Sequence, residues 1–298
     1  MSVTSWLRCG FRSAEPQIES QGENLPRKQL VTLITDFGSN DYYVGVMKGV
    51  ILGINPEAVI VDVCHHVASY DVFDAAFTLV QSYRYFPSDT IHLVIVDPGV
   101  CTARRPLLAR TIDQKFIAPD NGVLSLVYER EENIEVRHIT SEHYFLSPIS
   151  QTFQGRDIFA PCAGWLSKGV EVDKFGEPIT DYAKFTPPKA KRVDEQLVKG
   201  VALRVDKFGN IVTNISPEDV PQLFTENPPP FRIMINQQEV TKLNSAFAAG
   251  KPSEVFAIVG STGYIELCTN RGSAAKTLNA TRGMEVGVVI GPPTAPAA

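Results

Sequence analysis

The chain is short of the features that mark membrane, nucleic-acid-binding and disulfide-built proteins. Its uninterrupted apolar stretches, such as Leu93–Val96 and Val288–Ile290, fall far short of the roughly 18 residues a membrane helix needs. Five cysteines (Cys9, Cys64, Cys101, Cys162, Cys268) are scattered through 298 residues, with no C-x-x-C pair and no histidine at metal-ligand spacing. That leaves no zinc pattern and no disulfide framework, and it implies a reducing compartment. Basic residues number 28 against 33 acidic ones, a net charge of -5, and no basic run could neutralise a series of phosphates. Nucleic acid is therefore a poor partner. A G-x-S-x-G elbow, a Walker sequence and a G-x-G-x-x-G fingerprint are also missing, which removes the commonest serine hydrolase, nucleotidase and dehydrogenase chemistries.

What is present is an ordinary globular balance, 44% hydrophobic and 20% charged, over a length that predicts two domains with separate cores. The first 14 residues carry Arg8, Arg12 and three serines with no acid before Glu15. This faintly resembles an organelle transit peptide, but Gly10 interrupts any helix, and a flexible tail over residues 1–29 is the simpler reading. Cytoplasmic localisation is expected, with an organelle as the alternative if the tail is a targeting segment.

From Leu30 the pattern alternates. Strand-like runs at 30–35, 58–63 and 90–96 are separated by helical spacing at 42–54 and 71–85, which predicts a mostly parallel sheet flanked by helices. Leu107–Ile117, Ile134–Ile139 and a helix over Asp157–Leu166 continue this α/β domain to residue 185. Residues 186–196, with Pro187 and Pro188, read as a linker. From 197 to 292, short β-rich runs separated by Gly, Asn and Pro predict a smaller barrel-like β domain.

In open α/β sheets ligands bind beyond the carboxyl ends of the strands, so Asp36, Asp62 and Asp97 are the acids to consider. Asp36, in Thr35-Asp36-Phe37-Gly38, has the geometry to accept hydrogen bonds from a ribose diol, although a turn aspartate has the same signature. Asp97 precedes Pro98-Gly99, a turn that would fold Arg104 back onto it. Such a pair orients a water or simply closes a salt bridge. Thr152–Asp157 reads as a binding loop or a helix cap, and Asp206–Asn210 as a hairpin loop whose Asn can read an adenine edge. A rival nucleophile is Cys101, with His65 or His66 as its base.

Taken together, Thr35-Asp36-Phe37-Gly38 with Asp41 and Tyr43-Val44-Gly45, Val61–His65, Val96-Asp97-Pro98-Gly99-Val100, Ala118–Gly122, Thr152-Phe153-x-Gly155-Arg156-Asp157, Asp206-x-Phe208-Gly209-Asn210 and Ser261-x-Gly263-Tyr264 resemble one family from about Leu30 to Ile290. It is that of the S-adenosylmethionine (SAM) hydroxide adenosyltransferases, or SAM hydrolases, relatives of the fluorinases and chlorinases. The resemblance implies attack of water or hydroxide at C5′ of SAM, giving adenosine and methionine with no cofactor. It also implies an α/β domain, a β-rich domain, and a homotrimer with active sites between subunits.

Carried over by position, Asp36 resembles the ribose-diol acceptor, and Tyr70 stands where halogenating relatives have an aromatic near the ribose. Asp206 resembles the partner of the methionine ammonium, Ser261 a methionine-carboxylate contact, and Asn210 and Phe247 the adenine partners. Asp97 and Arg104 match two members of an Asp-Arg-His water-activating triad. Halogenating relatives carry Tyr at the Asp97 position, and the fluorinase insertion is missing here. Two departures stand out: Gln154 replaces the triad His, and Cys101 replaces the usual Gly. Gln can hold a water but cannot titrate. A halide-using adenosyl transferase and a non-catalytic SAM- or adenosine-binding protein are the competing readings.

Overall fold

The β-branched run at the start of the alternating pattern forms β1 (Leu30–Thr35) in the computed structural model, which describes residues 28–291. The expected tail and targeting segment thus lie almost wholly outside the described residues. Next come α1 (Tyr43–Ile54), β2 (Val59–Cys64), α2 (Val72–Ser82) and β3 (Thr90–Ile95), and β1 pairs in parallel with both β2 and β3. Asp71 caps α2 by accepting the Asp74 amide at 2.9 Å. All six residues of β3 are buried, as a central strand covered on both faces requires.

β4 (Pro106–Arg110), β5 (Gln114–Pro119), α3 (Ser125–Arg130) and β6 (Glu135–His138) complete a six-stranded sheet of order β2-β1-β3-β5-β4-β6, in which β4 alone runs against its neighbours. The apolar run over Leu107–Ile117 is therefore a hairpin and not one element. Its turn contains neither Gly nor Pro. Thr111 makes it instead, its amide donating to the Gln114 carbonyl and its hydroxyl accepting the Gln114 amide, both at 2.9 Å. The helix expected over Asp157–Leu166 starts earlier, as a π-turn at Gly155–Phe159 that runs into α4 (Ala160–Ser167). α4 packs with α1 over one face of the sheet around Met47, Ile51 and Phe159, while α2 and α3 cover the other around Leu79 and Val127.

The second sheet comprises β7 (Lys191–Arg192), β8 (Leu197–Val205), β9 (Ile211–Thr213), β10 (Phe231–Ile235), β11 (Gln238–Val240), β12 (Val255–Val259), β13 (Ile265–Thr269) and, after the short α5 (Ala274–Thr277), β14 (Glu285–Ile290). β7 lies inside the segment read as a linker and pairs with β8. The main path runs β11-β10-β14-β8-β9-β13-β12. Its two ends meet, because Lys242 and Asn244 beyond β11 exchange main-chain hydrogen bonds with Ala257 of β12. The result is a near-barrel around Val198, Ile211, Ile233, Leu267 and Val288.

The two sheets are tied through α2. Phe77 packs with Leu203 and Val212, Arg204 lies 3.2 Å from Asp74, and Arg282 pairs with Asp71 while stacking over the Phe73 ring at 4.8 Å. Among the described residues no helix is long and apolar enough to cross a membrane.

Candidate active site

β1 and β3 are adjacent and parallel, so the residues just beyond their carboxyl ends, Asp36 and Asp97, emerge on the same edge of the sheet. Past β3 the chain makes two tight turns: the Val100 amide reaches the Asp97 carbonyl at 3.2 Å, and the Thr102 amide reaches that of Gly99 at 3.1 Å. Cys101 sits between them with a left-handed φ of 61°. These reversals bring Arg104 back onto Asp97. Its Nε donates to Oδ1 at 3.0 Å and its Nη2 to Oδ2 at 2.5 Å, a two-pronged pairing with only 7% of each side chain exposed.

Gln154 joins this pair from 50 residues away, accepting from Arg104 Nη2 through Oε1 at 2.5 Å. Arg104 also lies over the Phe159 ring, 5.0 Å from its centroid, so a residue of the π-turn supports the guanidinium from behind. Arginine only donates. Gln154 must therefore turn its oxygen to Arg104, leaving its Nε2–H2 as the group it offers outward.

The Asp36 turn is joined to the Gln154 turn by rings. Phe37, Tyr43 and Phe153 form a cluster with centroids 5.0 to 6.2 Å apart, and Phe153 immediately precedes Gln154. Asp36 Oδ2 accepts the Tyr70 backbone amide at 2.9 Å, and Tyr70, 75% exposed, holds φ at 66°. The five residues Asp36, Tyr70, Asp97, Arg104 and Gln154 thus share one region of the α/β sheet.

The remaining four belong to the barrel. In the β8–β9 hairpin, Asp206 Oδ1 accepts the amides of Phe208 at 2.9 Å and Asn210 at 2.8 Å, while Oδ2 accepts Asn210 Nδ2 at 2.8 Å. The same logic as for Gln154 leaves Asn210 Oδ1 outward as an acceptor. Gly209, at φ 85°, has Ser273 Oγ only 2.0 Å from where a Cβ would stand, so no side chain fits there. Ser261 is exposed on the β12–β13 turn, and Phe247 is exposed in a single 3₁₀ turn. Among the described residues no hydrogen bond, ion pair or ring contact links this group to the first.

The Cys101 rival is not assembled. Its thiol is hydrogen-bonded to Gln151 Oε1, His65 is engaged by Thr35 and His66 lies 3.4 Å from Ser39. No group of three or more His, Cys, Asp or Glu among the described residues is arranged to hold a metal ion. Local spacing did not reveal two features of the site, the Phe159 support of Arg104 and the buried Glu266 behind the Ser261 turn. Burial, with the Asp206 charge adding to it, pushes the Glu266 carboxyl above its ordinary value. The alternation along β13 places Glu266 on a buried face, but no local signal marks it as special.

The family models for the SAM hydroxide adenosyltransferase N-terminal and C-terminal domains match residues 31–176 and 200–287. The chain is 30% identical over 269 residues to the (R)-S-adenosyl-L-methionine hydrolase of Salinispora tropica, covering 88% of this chain and 98% of that one. It is 26% identical to the fluorinase of Actinopolyspora mzabensis, covering 88% and 97%. An uncharacterised conserved protein from Thermotoga maritima superposes with a TM-score of 0.81 at 34% identity, over 87% of this chain and 99% of that one. With both of its sheets matched in order, the chain belongs to the SAM hydroxide adenosyltransferase family.

Proposed function

We propose that this chain hydrolyses SAM to adenosine and methionine. A water oxygen attacks C5′, the C5′–S bond breaks, its electron pair leaves on sulfur as the methionine thioether, and the water's proton passes to the Asp97 carboxylate or to solvent. Sulfonium is already a good leaving group, so the step asks the protein for placement and dehydration of the nucleophile and needs no cofactor. The observation that carries this reading is the assembled Asp97–Arg104–Gln154 cluster, a buried acceptor held rigidly without help from substrate. Around it Asp36 and Tyr70 take the ribose, and Asp206, Ser261, Asn210 and Phe247 take the methionine and adenine ends.

We further read the two sheets as domains of residues 30–185 and 197–292, and the assembly as a homotrimer. No hydrogen bond, ion pair or ring contact among the described residues joins the α/β group to the barrel group directly, and the trimer reading has adjoining copies bring them together. A carboxylate at the nucleophile position opposes a halide and suits a neutral water. Incubation with SAM in the presence and absence of halide, followed by chromatography, is the test. Adenosine supports hydrolysis, a 5′-halo-adenosine would replace it with the transferase reading, and binding without turnover would reduce the chain to a SAM-binding protein.

A further inference from the structure

The Val61–His65 motif is left without a role by the site described above, yet it is wired to the Asp36 turn. The parallel ladder of β1 and β2 slips at its end, where Leu33 faces Asp62 but Ile34 faces Cys64. His65 follows, with its side chain 10% exposed and its Nδ1 2.9 Å from Thr35 Oγ1. The Thr35 hydroxyl also accepts the Phe37 amide at 3.3 Å, and the His65 carbonyl accepts the Gly38 amide at 2.7 Å. His65 thus holds the backbone on both sides of Asp36, once through its ring and once through its own main chain.

The hydrogens can be placed by elimination. The Asp62 carboxylate only accepts, so with its Oδ1 3.0 Å from His65 Nε2 the proton of the neutral ring belongs on Nε2, which leaves Nδ1 as the acceptor of the Thr35 hydroxyl hydrogen. The Nε2–H faces that oxygen off the axis of an aligned hydrogen bond. Asp62 is anchored in turn by Lys48 Nζ from α1 at 2.6 Å. Burial works against the Asp62 charge, but Lys48 and His65 together hold its carboxyl below the usual carboxylate range.

We propose that His65 is the positioning residue of the ribose-binding turn, fixing Thr35–Gly38 through its Nδ1 so that the Asp36 carboxylate meets a vicinal diol. The inference rests on the ribose role given to Asp36. Two amide replacements divide the ring's contacts: in His65→Asn the side-chain oxygen falls near the Nδ1 position and still accepts from Thr35, whereas His65→Gln reaches the Nε2 position and withdraws that acceptor. Thr35→Val removes the hydroxyl at nearly constant volume.

The experiment is titration calorimetry of adenosine and 2′-deoxyadenosine against the full-length parent and the three variants, with circular dichroism melts to confirm folding. The parent should prefer adenosine. His65→Gln and Thr35→Val should lose about tenfold of adenosine affinity, the effect of one misplaced polar contact, while 2′-deoxyadenosine changes by less than about twofold. His65→Asn should keep the parent preference, a rescue that a purely structural role of the ring would not give. If the parent prefers adenosine and folded His65→Gln and Thr35→Val keep that preference, the positioning role is wrong and the ribose reading stands. If the parent itself fails to distinguish the two nucleosides, the ribose role of Asp36 fails and the proposal fails with it. Should His65→Gln not fold, the nearly isosteric Thr35→Val decides alone.

Discussion

Gln154→His, which puts in the histidine that the resemblance leads one to expect at this position, is the perturbation that best probes how the nucleophile is handled. Arg104 donates to position 154, so whatever stands there spends an acceptor on the guanidinium. A neutral imidazole has one acceptor nitrogen. Once Arg104 takes it, the other nitrogen carries a hydrogen and would meet the water as a donor, the part proposed for the Gln154 amide. The substitution should therefore change kcat at neutral pH by no more than about threefold, far below the 10²-fold or more expected of a new general base. The difference appears in acid. An imidazolium cannot accept from Arg104, and losing a hydrogen bond to a charged group, worth about 1.5 to 3 kcal/mol, lowers the ring's pKa by roughly one to two units from its ordinary value near 6.5. Below a midpoint of roughly 5, Gln154→His should lose activity along a limb that the parent lacks at this position. Initial rates of adenosine formation at saturating SAM, from roughly pH 4.5 to 8, measure both effects. A rise in kcat approaching 100-fold would refute the reasoning, since the imidazole would then have turned from Arg104 to take the water's proton.

Asp97→Asn should lower kcat by about 2 to 4 kcal/mol of transition-state stabilisation with little change in SAM affinity. Arg104→Met should do the same and, by stranding a buried carboxylate, also cost about 3 to 5 kcal/mol in denaturant unfolding, whereas near-normal turnover in Asp97→Asn would sink the assignment. Asp36→Ala should instead weaken adenosine binding, and Asp206→Ala methionine binding, by about 1 to 3 kcal/mol in calorimetry; Asp36→Ala should leave methionine unaffected, whereas Asp206→Ala releases Asn210 and should weaken adenosine as well. Glu266, 7% exposed and held above its ordinary pKa chiefly by burial and then by the Asp206 charge, binds its proton more tightly folded than unfolded. Its penalty is therefore absent below the unfolded carboxyl range, sets in as pH rises past about 4.3, and is complete above the folded pKa. Glu266→Gln should raise the melting temperature at neutral pH and leave it unchanged near pH 3, and an equal gain at both would contradict this.

Much of this was legible where cause and effect lie close in the chain. The apolar β-branched runs gave β1, β2 and β3, strand-end acids gave Asp36 and Asp97, and Pro98-Gly99 foretold the return of Arg104 onto Asp97. Contacts that depend on tertiary register were not legible from spacing. Gln154 meets Arg104 across 50 residues because a π-turn sets its direction, and only the family resemblance pointed to it. The β4–β5 hairpin was hidden because a threonine hydroxyl does the work usually marked by glycine or asparagine. His65 was visible as a motif, but its hold on Thr35 exists only because the ladder slips by one residue beside it.

The division of the proposed site residues between the two sheets makes a sharper demand on the proposed assembly than a measurement of size. Asp97 falls in the proposed α/β half-site and Asp206 in the proposed barrel half-site; α2 ties the two sheets, but among the described residues no hydrogen bond, ion pair or ring contact joins the two half-sites directly. If each site in a cyclic trimer takes its α/β side from one subunit and its barrel side from the next, Asp97→Asn and Asp206→Ala damage different walls of it. At SAM concentrations well below saturation, where weakened binding and weakened turnover both show, each variant alone should be severely impaired. Mixed in equal amounts under conditions that exchange subunits, they should regain activity, because some interfaces pair the intact Asp97 of one chain with the intact Asp206 of the other. Random assembly draws each wall independently, so half times half, about a quarter, of the sites are whole, and specific activity should approach about a quarter of the parent's. The assay is adenosine release before and after exchange, with each variant exchanged against itself as control. A site built within a single chain always carries one defect in either variant, so it can give no rescue. Failure to regain activity after exchange has been confirmed with two differently tagged chains would place the whole site in one subunit.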